Sequence, residues 1–262
     1  MKTEQLKDYK RKKKDLKIQF KEQKRQYKNN KKELKKEYNK LIEEIEKQKE
    51  TNVNNPPKRS VLEEIGNAVT HGVGSIFSIV AFLLMLFNSE TNIEVISSVI
   101  YFVGLFILFT MSCLYHAFKH GLGVKRIFRR FDYSSIYLLI GATFVPLLLI
   151  FVGGTLGIIF CIIQWVIIIT GITFVCVFGP HRLRALHLTL YLVLGWSGLI
   201  FIPLMFKKEI LLFYYILGGG IIYSLGIIPF ALKKKCSHFI WHFFVLGGAV
   251  VQWIGIYLSL YL

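Results

Sequence analysis

Seven apolar stretches follow one another through the chain after residue 66, each near the roughly 20 residues that a helix needs to cross a bilayer's hydrocarbon core. They run approximately over Asn67–Phe87, Glu94–Tyr115, Asp132–Phe151, Leu156–Phe178, Leu186–Phe206, Leu211–Leu232 and His238–Leu260. Hydrocarbon offers no partner to a backbone N–H or C=O, so such segments fold as helices whose hydrogen bonds close within themselves. The predicted fold class is therefore all-α, a seven-transmembrane helical bundle. The connections Asn88–Ile93, Ala117–Phe131, Gly153-Gly154, Gly179-Pro180, Lys207-Lys208 and Lys233–Lys235 carry the charges or the helix breakers. Pro146, Pro203 and Pro229 fall inside spans, where they predict kinks that neighbouring helices can satisfy. The count of seven depends on reading Gly153-Gly154 as a break.

Composition then separates two parts. A net charge of +17 beside 53% hydrophobic residues and a mean hydropathy of +0.48 does not describe one well-mixed soluble domain. Residues 1–50 hold 19 basic and 10 acidic side chains and no Gly or Pro. This segment reads as a basic, charged helical or partly disordered arm. Phe20, Tyr27, Leu34 and Leu41 lie seven apart with Tyr38 and Ile45 between them, a partial coiled-coil seam weakened upstream by Lys17, Lys24 and Lys31. Its basic face suits anionic lipid headgroups, and no nucleic-acid partner is expected. Residues 51–61 form a linker and residues 62–262 the membrane domain. No apolar segment resembling a signal peptide occurs in the first 50 residues, so the chain is expected to be unprocessed. Cys113, Cys161, Cys176 and Cys236 lack metal-type spacing and are expected to be small buried hydrophobes.

Lys and Arg are retained on the cytoplasmic side of a membrane. Alternate connections give one side the arm, then Lys119, Lys125, Arg126, Arg129 and Arg130, then Arg182 and Arg184, then Lys233, Lys234 and Lys235. The other side receives Lys207 and Lys208. The expectation is a cytoplasmic N-terminus and an extracytoplasmic C-terminus, opposite to G-protein-coupled receptors. A retinal protein is excluded as well, because the seventh span has no lysine for a Schiff base.

Ionisable residues within spans are costly and mark function by default. Glu63, Glu64, Asn67 and His71 open the first span, Ser112 and His116 close the second, Asp132 opens the third, and His238 and His242 open the seventh. With the orientation above, all lie at cytoplasmic helix ends. Residues three or four apart share a helix face: Glu64, Asn67 and His71 do so, as do Ser112 and His116, and His238 and His242. Two histidines one turn apart can offer two imidazole nitrogens to one metal. A third from His116 would leave a fourth position open for water, the catalytic rather than the structural arrangement of zinc. Asp132 can orient a ligand or accept a proton, with Ser112 beside it. The same residues also suit hydrogen-bonded or headgroup-facing histidines and a helix N-cap at Asp132, and both readings stand at this point. His120, His181 and His187 are expected to contact solvent or headgroups.

The motifs Glu64-x-x-Asn67-x-x-Thr70-His71, Ser112-x-x-Tyr115-His116, Phe131-Asp132-Tyr133 and His238-x-x-Trp241-His242 resemble the signature of the hemolysin III family. That family groups with the progestin and adipoQ receptors and, more distantly, the alkaline ceramidases. The resemblance covers roughly Leu62–Leu262. It implies a seven-helix bundle with an intracellular-side zinc ion held by His116, His238 and His242. Asp132 and Ser112 then stand as catalytic residues, with Glu64, Asn67 and His71 as supporting polar groups. Relatives in the superfamily imply hydrolysis of lipid amides or esters, with membrane lipids as partners and the plasma membrane as location. The alternative is a non-enzymatic cytolytic, pore-forming or receptor-like protein in which zinc is structural. The sequence does not set the oligomeric state.

Overall fold

The computed structural model describes residues 2–51, 54–232 and 234–262, with side chains for 11–45, 54–232 and 234–262. Lys233, part of the orientation argument, and two positions of the linker lie outside the described residues. Residues 1–55 and 56–262 form two separate compact units. The first is one uninterrupted helix, α1 (Lys2–Thr51). Within it Phe20, Tyr27, Leu34 and Leu41 are each more than half exposed, so the seam forms a stripe on a helix face rather than a packed core.

The second unit holds α2 (Val61–Phe87), α3 (Asn92–Ala117), α4 (Gly123–Pro146), α5 (Gly154–Phe178), α6 (Arg184–Trp196), α7 (Ile202–Lys208), α8 (Ile210–Ala231) and α9 (Ser237–Leu260). Among the described residues, seven helical segments are long and apolar enough to cross a membrane, with α6 and α7 forming one of them. The chain is an all-α, multi-pass integral membrane protein. Exposed Ile162, Val166 and Ile169 on α5 show the outward apolar face that such a bundle presents to lipid.

Two helices begin earlier than hydropathy alone suggests. The Ser60 hydroxyl accepts a hydrogen bond from Glu63 N at 3.2 Å and starts α2 six residues before Asn67. α4 starts at Gly123, so the expected Ala117–Phe131 connection shrinks to Phe118–Leu122. Hydropathy registers only the part of a helix that lies in hydrocarbon, whereas Lys and Arg are good helix formers that extend it past that depth. The prolines act in three different ways. Beyond Pro146 the helix widens into a π-helical stretch, Leu147–Val152, and then breaks at Gly153 and Gly154, whose φ values of 68° and 57° are left-handed. Pro203 sits in the first turn of α7, after the 3₁₀ segment Ser197–Phe201, where its missing N–H costs no hydrogen bond. Pro229 is carried within α8 without ending it.

α4 and its π-helical extension occupy the centre: 67% of that span's apolar window is buried, against at most 44% for any other span. α3 packs on both α2 and α4, while α9 packs on α8 and α2. Gly104 on α3 allows the close approach to α4, because a Cβ there would collide with the Cβ of Ala142 and lie 3.0 Å from the Leu138 carbonyl. Around this contact lie Tyr101, Leu105 and Phe109 of α3, Leu139 of α4, and Val245, Ala249 and Ile256 of α9. The cysteines differ from expectation in their burial: Cys113 and Cys161 are only partly buried, and Cys176 and Cys236 are exposed. An apolar sequence context places a residue in a span without choosing between its core and lipid faces.

Candidate metal centre

The first turns of α2, the last turn of α3, the first turns of α4 and the first turns of α9 meet at one end of the bundle. His116, His238 and His242 converge there, each offering a ligand atom within 4.8 Å of the others. Nε2 of His238 lies 3.3 Å from Nε2 of His116 and 3.3 Å from Nε2 of His242. Nitrogens bound tetrahedrally at about 2.0–2.1 Å from one metal stand roughly 3.3 Å apart, so the spacing fits a metal edge. His116 and His242 are buried and His238 partly so.

The opposite ring nitrogens decide which tautomer is present. Nδ1 of His116 faces the Glu64 carboxylate, with the Asn67 side-chain amide 3.3 Å away. Nδ1 of His242 lies 3.2 Å from the Asn67 backbone carbonyl. A carboxylate and a carbonyl only accept, so both Nδ1 atoms donate, leaving Nε2 of each ring as a lone pair aimed at the common point. The three residues thus form a site capable of coordinating a metal ion.

Glu64 does more than its spacing indicated. Its second oxygen lies 3.0 Å from Nζ of Lys125, whose side chain is fully buried and also donates to the Phe118 carbonyl at 2.8 Å. One carboxylate therefore joins α2 to the histidine of α3 and to the lysine of α4. Lys125, assigned from sequence to a cytoplasmic loop, is instead a buried helical residue of the site, and Arg129 one turn on is buried too. A signal existed: Lys125, Arg129 and Asp132 follow i, i+4, i+7 and share a face. The charge run read as a loop hid that face.

His71 is buried but belongs to a different layer. Its ring stacks on His242 with centroids 3.7 Å apart and meets Phe109 edge-on at 5.2 Å, while neither ring nitrogen has a hydrogen-bond partner among the described residues. It braces a neighbouring ring and does not join the converging nitrogens. Asp132, in the third turn of α4, interacts with the buried Ser112 hydroxyl. A cavity of about 570 Å³ opens over this end, with His238, Tyr115 and Tyr133 in its wall.

The remaining histidines depart from the solvent-facing expectation to different degrees. His120 donates to the Pro56 carbonyl at 3.0 Å. His181 lies 3.2 Å from the Tyr133 hydroxyl. His187 is buried and shares a 2.9 Å hydrogen bond with the Tyr137 hydroxyl, tying α6 to α4. The loop charges before α6 had suggested the headgroup region, but the helix begins at Arg184 and turns His187 inward.

Comparison with known proteins covers this whole constellation. Residues 59–253 match the family model described as haemolysin-III related, a range containing every site residue from Glu64 to His242. The chain is 39% identical to Hemolysin-3 of Bacillus cereus over 197 residues, 73% of this chain and 89% of that protein. It is 36% identical to the Hemolysin-3 homolog of Bacillus subtilis (strain 168) over 198 residues, 74% of this chain and 92% of that one. Monocyte to macrophage differentiation factor of Homo sapiens is 29% identical over 210 residues, 78% of this chain and 87% of its own. On the extent of that match, and with the polar motifs of α2, α3, α4 and α9 gathered at one point, the chain belongs to the hemolysin III family.

Proposed function

We propose that this protein is a zinc-dependent hydrolase of acyl lipids, acting on an amide or ester bond at the cytoplasmic end of its bundle, most naturally in the plasma membrane. The observation that carries this reading is the convergence of three histidines in which Nε2 of His238 stands at metal-edge spacing from Nε2 of both His116 and His242, the latter two held as lone pairs by Glu64 and the Asn67 carbonyl. When bound to His116, His238 and His242, zinc supplies Lewis-acid polarisation of the substrate carbonyl and acidification of water to a pKa of about 7. Asp132 takes the proton of the attacking water and returns it to the leaving group. The Ser112 hydroxyl holds the Asp132 carboxylate in place.

The bundle also offers room for an acyl chain. An apolar chamber between α4, α6, α8 and α9 is lined by Ile140, Phe144, Tyr191, Trp196 and Val245, and Phe230 lines both this chamber and the cavity over His238. A chain in the chamber would place its polar end toward the histidines and keep bulk water from the reacting bond.

Metal analysis of detergent-purified protein, followed by fatty-acid release from ceramides and glycerolipids, tests the proposal. Wild type is expected to carry one zinc and to release fatty acid, with 1,10-phenanthroline removing both. Asp132→Ala should keep the zinc and lose activity by about 10²–10⁴-fold. His238→Ala and His242→Ala should lose zinc. If zinc is bound but no acyl lipid is cleaved, and Asp132→Ala still lyses cells, the hydrolase reading falls. The cytolytic one suggested by the name of the Bacillus cereus relative would then replace it.

A further inference from the structure

The cavity over His238 has a predominantly basic wall. Among the described residues, Lys58, Arg59, Arg129, Arg184, Lys234 and Lys235 line it, against the single carboxylate of Glu63. They come from four places in the chain: the segment before α2, the buried face of α4, the start of α6 and the turn before α9. Charges that serve only to orient a membrane protein face outward into solvent, as the exposed Arg126 and Arg130 of α4 do. Arg59, Arg129 and Arg184 instead turn inward around a concavity that contains a histidine of the metal centre.

Two of these guanidinium groups have donors without a protein acceptor. Nη1 of Arg59 and Nε of Arg184 are buried and form no hydrogen bond among the described residues. Arg59 pairs with Glu63 through Nε at a long 3.9 Å. Arg184 uses Nη2 on the Phe230 carbonyl at 3.4 Å and lies over the Phe230 ring. Buried donors are nearly always satisfied, and an unsatisfied one is costly. A planar guanidinium is suited to the paired oxygens of a phosphate or carboxylate. A concave wall of like charge also concentrates an anion at its centre.

We infer that this vestibule is a binding site for a phosphate-type oxyanion, presented by the headgroup of the acyl lipid that enters the bundle. Naming the lipid as a substrate rests on the hydrolase reading above; recognition of the anion does not. Arg59, in the segment before α2, and Arg184, at the start of α6, both donate to the oxyanion, with Lys234 and Lys235 at the rim. The acyl linkage then lies toward His238 and the chain beyond Phe230. A neutral lipid of the same chain length lacks the group these arginines complete, so it binds more weakly.

Isothermal titration calorimetry on the full-length, detergent-purified protein with 1-O-hexadecylglycerol and its 3-phosphate tests the site. Their ether bonds cannot be hydrolysed, so the readout is independent of turnover. The phosphate form should bind at least tenfold more tightly than the neutral one. The double variant Arg59→Gln, Arg184→Gln should lose that preference while retaining its affinity for the neutral ether and its zinc content, which shows that it is folded. Arg184→Lys keeps the charge without the planar fork and should lose part of the preference. Lys207→Gln, at the other end of the bundle, should lose none. Equal binding of the two ethers, or a preference that survives the double arginine variant, would overturn the proposal. Titration with sodium phosphate assigns the source of the anion: failure to displace the lipid phosphate at millimolar concentration supports a headgroup, and displacement supports the same site taking free phosphate. If the phosphate preference is present and no lipid is ever cleaved, the site stands and the hydrolase reading alone fails.

Discussion

Glu64 makes two contacts of different kinds with one carboxylate, and they respond differently to substitution. Toward His116 it fixes which ring nitrogen carries the proton; toward Lys125 it neutralises a buried cation. Glu64→Gln removes the anionic acceptor and strands the lysine. Zinc affinity should fall about 10–100-fold, as for other carboxylates behind a metal-binding histidine, measured by competition with a chelating dye. Stability should fall too, by about 3 kcal/mol, because a buried charge loses its partner. Adding Lys125→Met removes the stranded charge, so stability should largely return while zinc affinity stays low. His71→Phe keeps a ring stacked on His242 and removes no engaged nitrogen, so zinc affinity should change less than twofold. Loss of zinc in that variant would mean that the His71 ring nitrogens take part after all.

At the scale of elements, α3 and α4 are locked together by the absence of a side chain at Gly104. Gly104→Ala pushes a methyl group into Ala142 and toward the Leu138 carbonyl, which should cost about 1–3 kcal/mol as overpacking and show as a lowered Tm in detergent. Ser112 is eight residues further along α3, about 12 Å at the rise of a helix, so zinc content at low temperature should hold. Apolar run length made the spans themselves legible, and i,i+4 spacing made the histidine and serine faces legible. What it did not reveal has common physical causes. Charged residues propagate a helix as readily as apolar ones, so Lys125 and Arg129 looked like loop. The stacking of the His71 ring on His242 is a contact between α2 and α9, invisible to local spacing. The π-helical stretch after Pro146 depends on how the central span meets Gly153 and Gly154.

For the whole molecule, the inward turn of Lys125 and Arg129 bears on orientation. These two cations are buried within the bundle and do not face the membrane surface, so they drop out of the positive-inside argument. Exposed Lys58, Lys119, Arg126, Arg130, Arg182, Lys234 and Lys235 remain at the histidine end, whereas the opposite connections hold Lys207 and Lys208 together with Glu90 and Glu209. The asymmetry survives without the arm, whose own charges are partly cancelled by its 10 acidic residues. Loop cations within about 15–20 residues of the span ends carry the rule. A phosphatase reporter fused after Leu262 should therefore be active outside the cytoplasm, both in the intact chain and in one lacking residues 1–50. Reporter activity that disappears on deleting the arm would make the arm the determinant of orientation. A C-terminus facing the cytoplasm in the intact chain would put the histidine cluster and its basic vestibule on the outer face, where the anionic lipid it meets would be a different population.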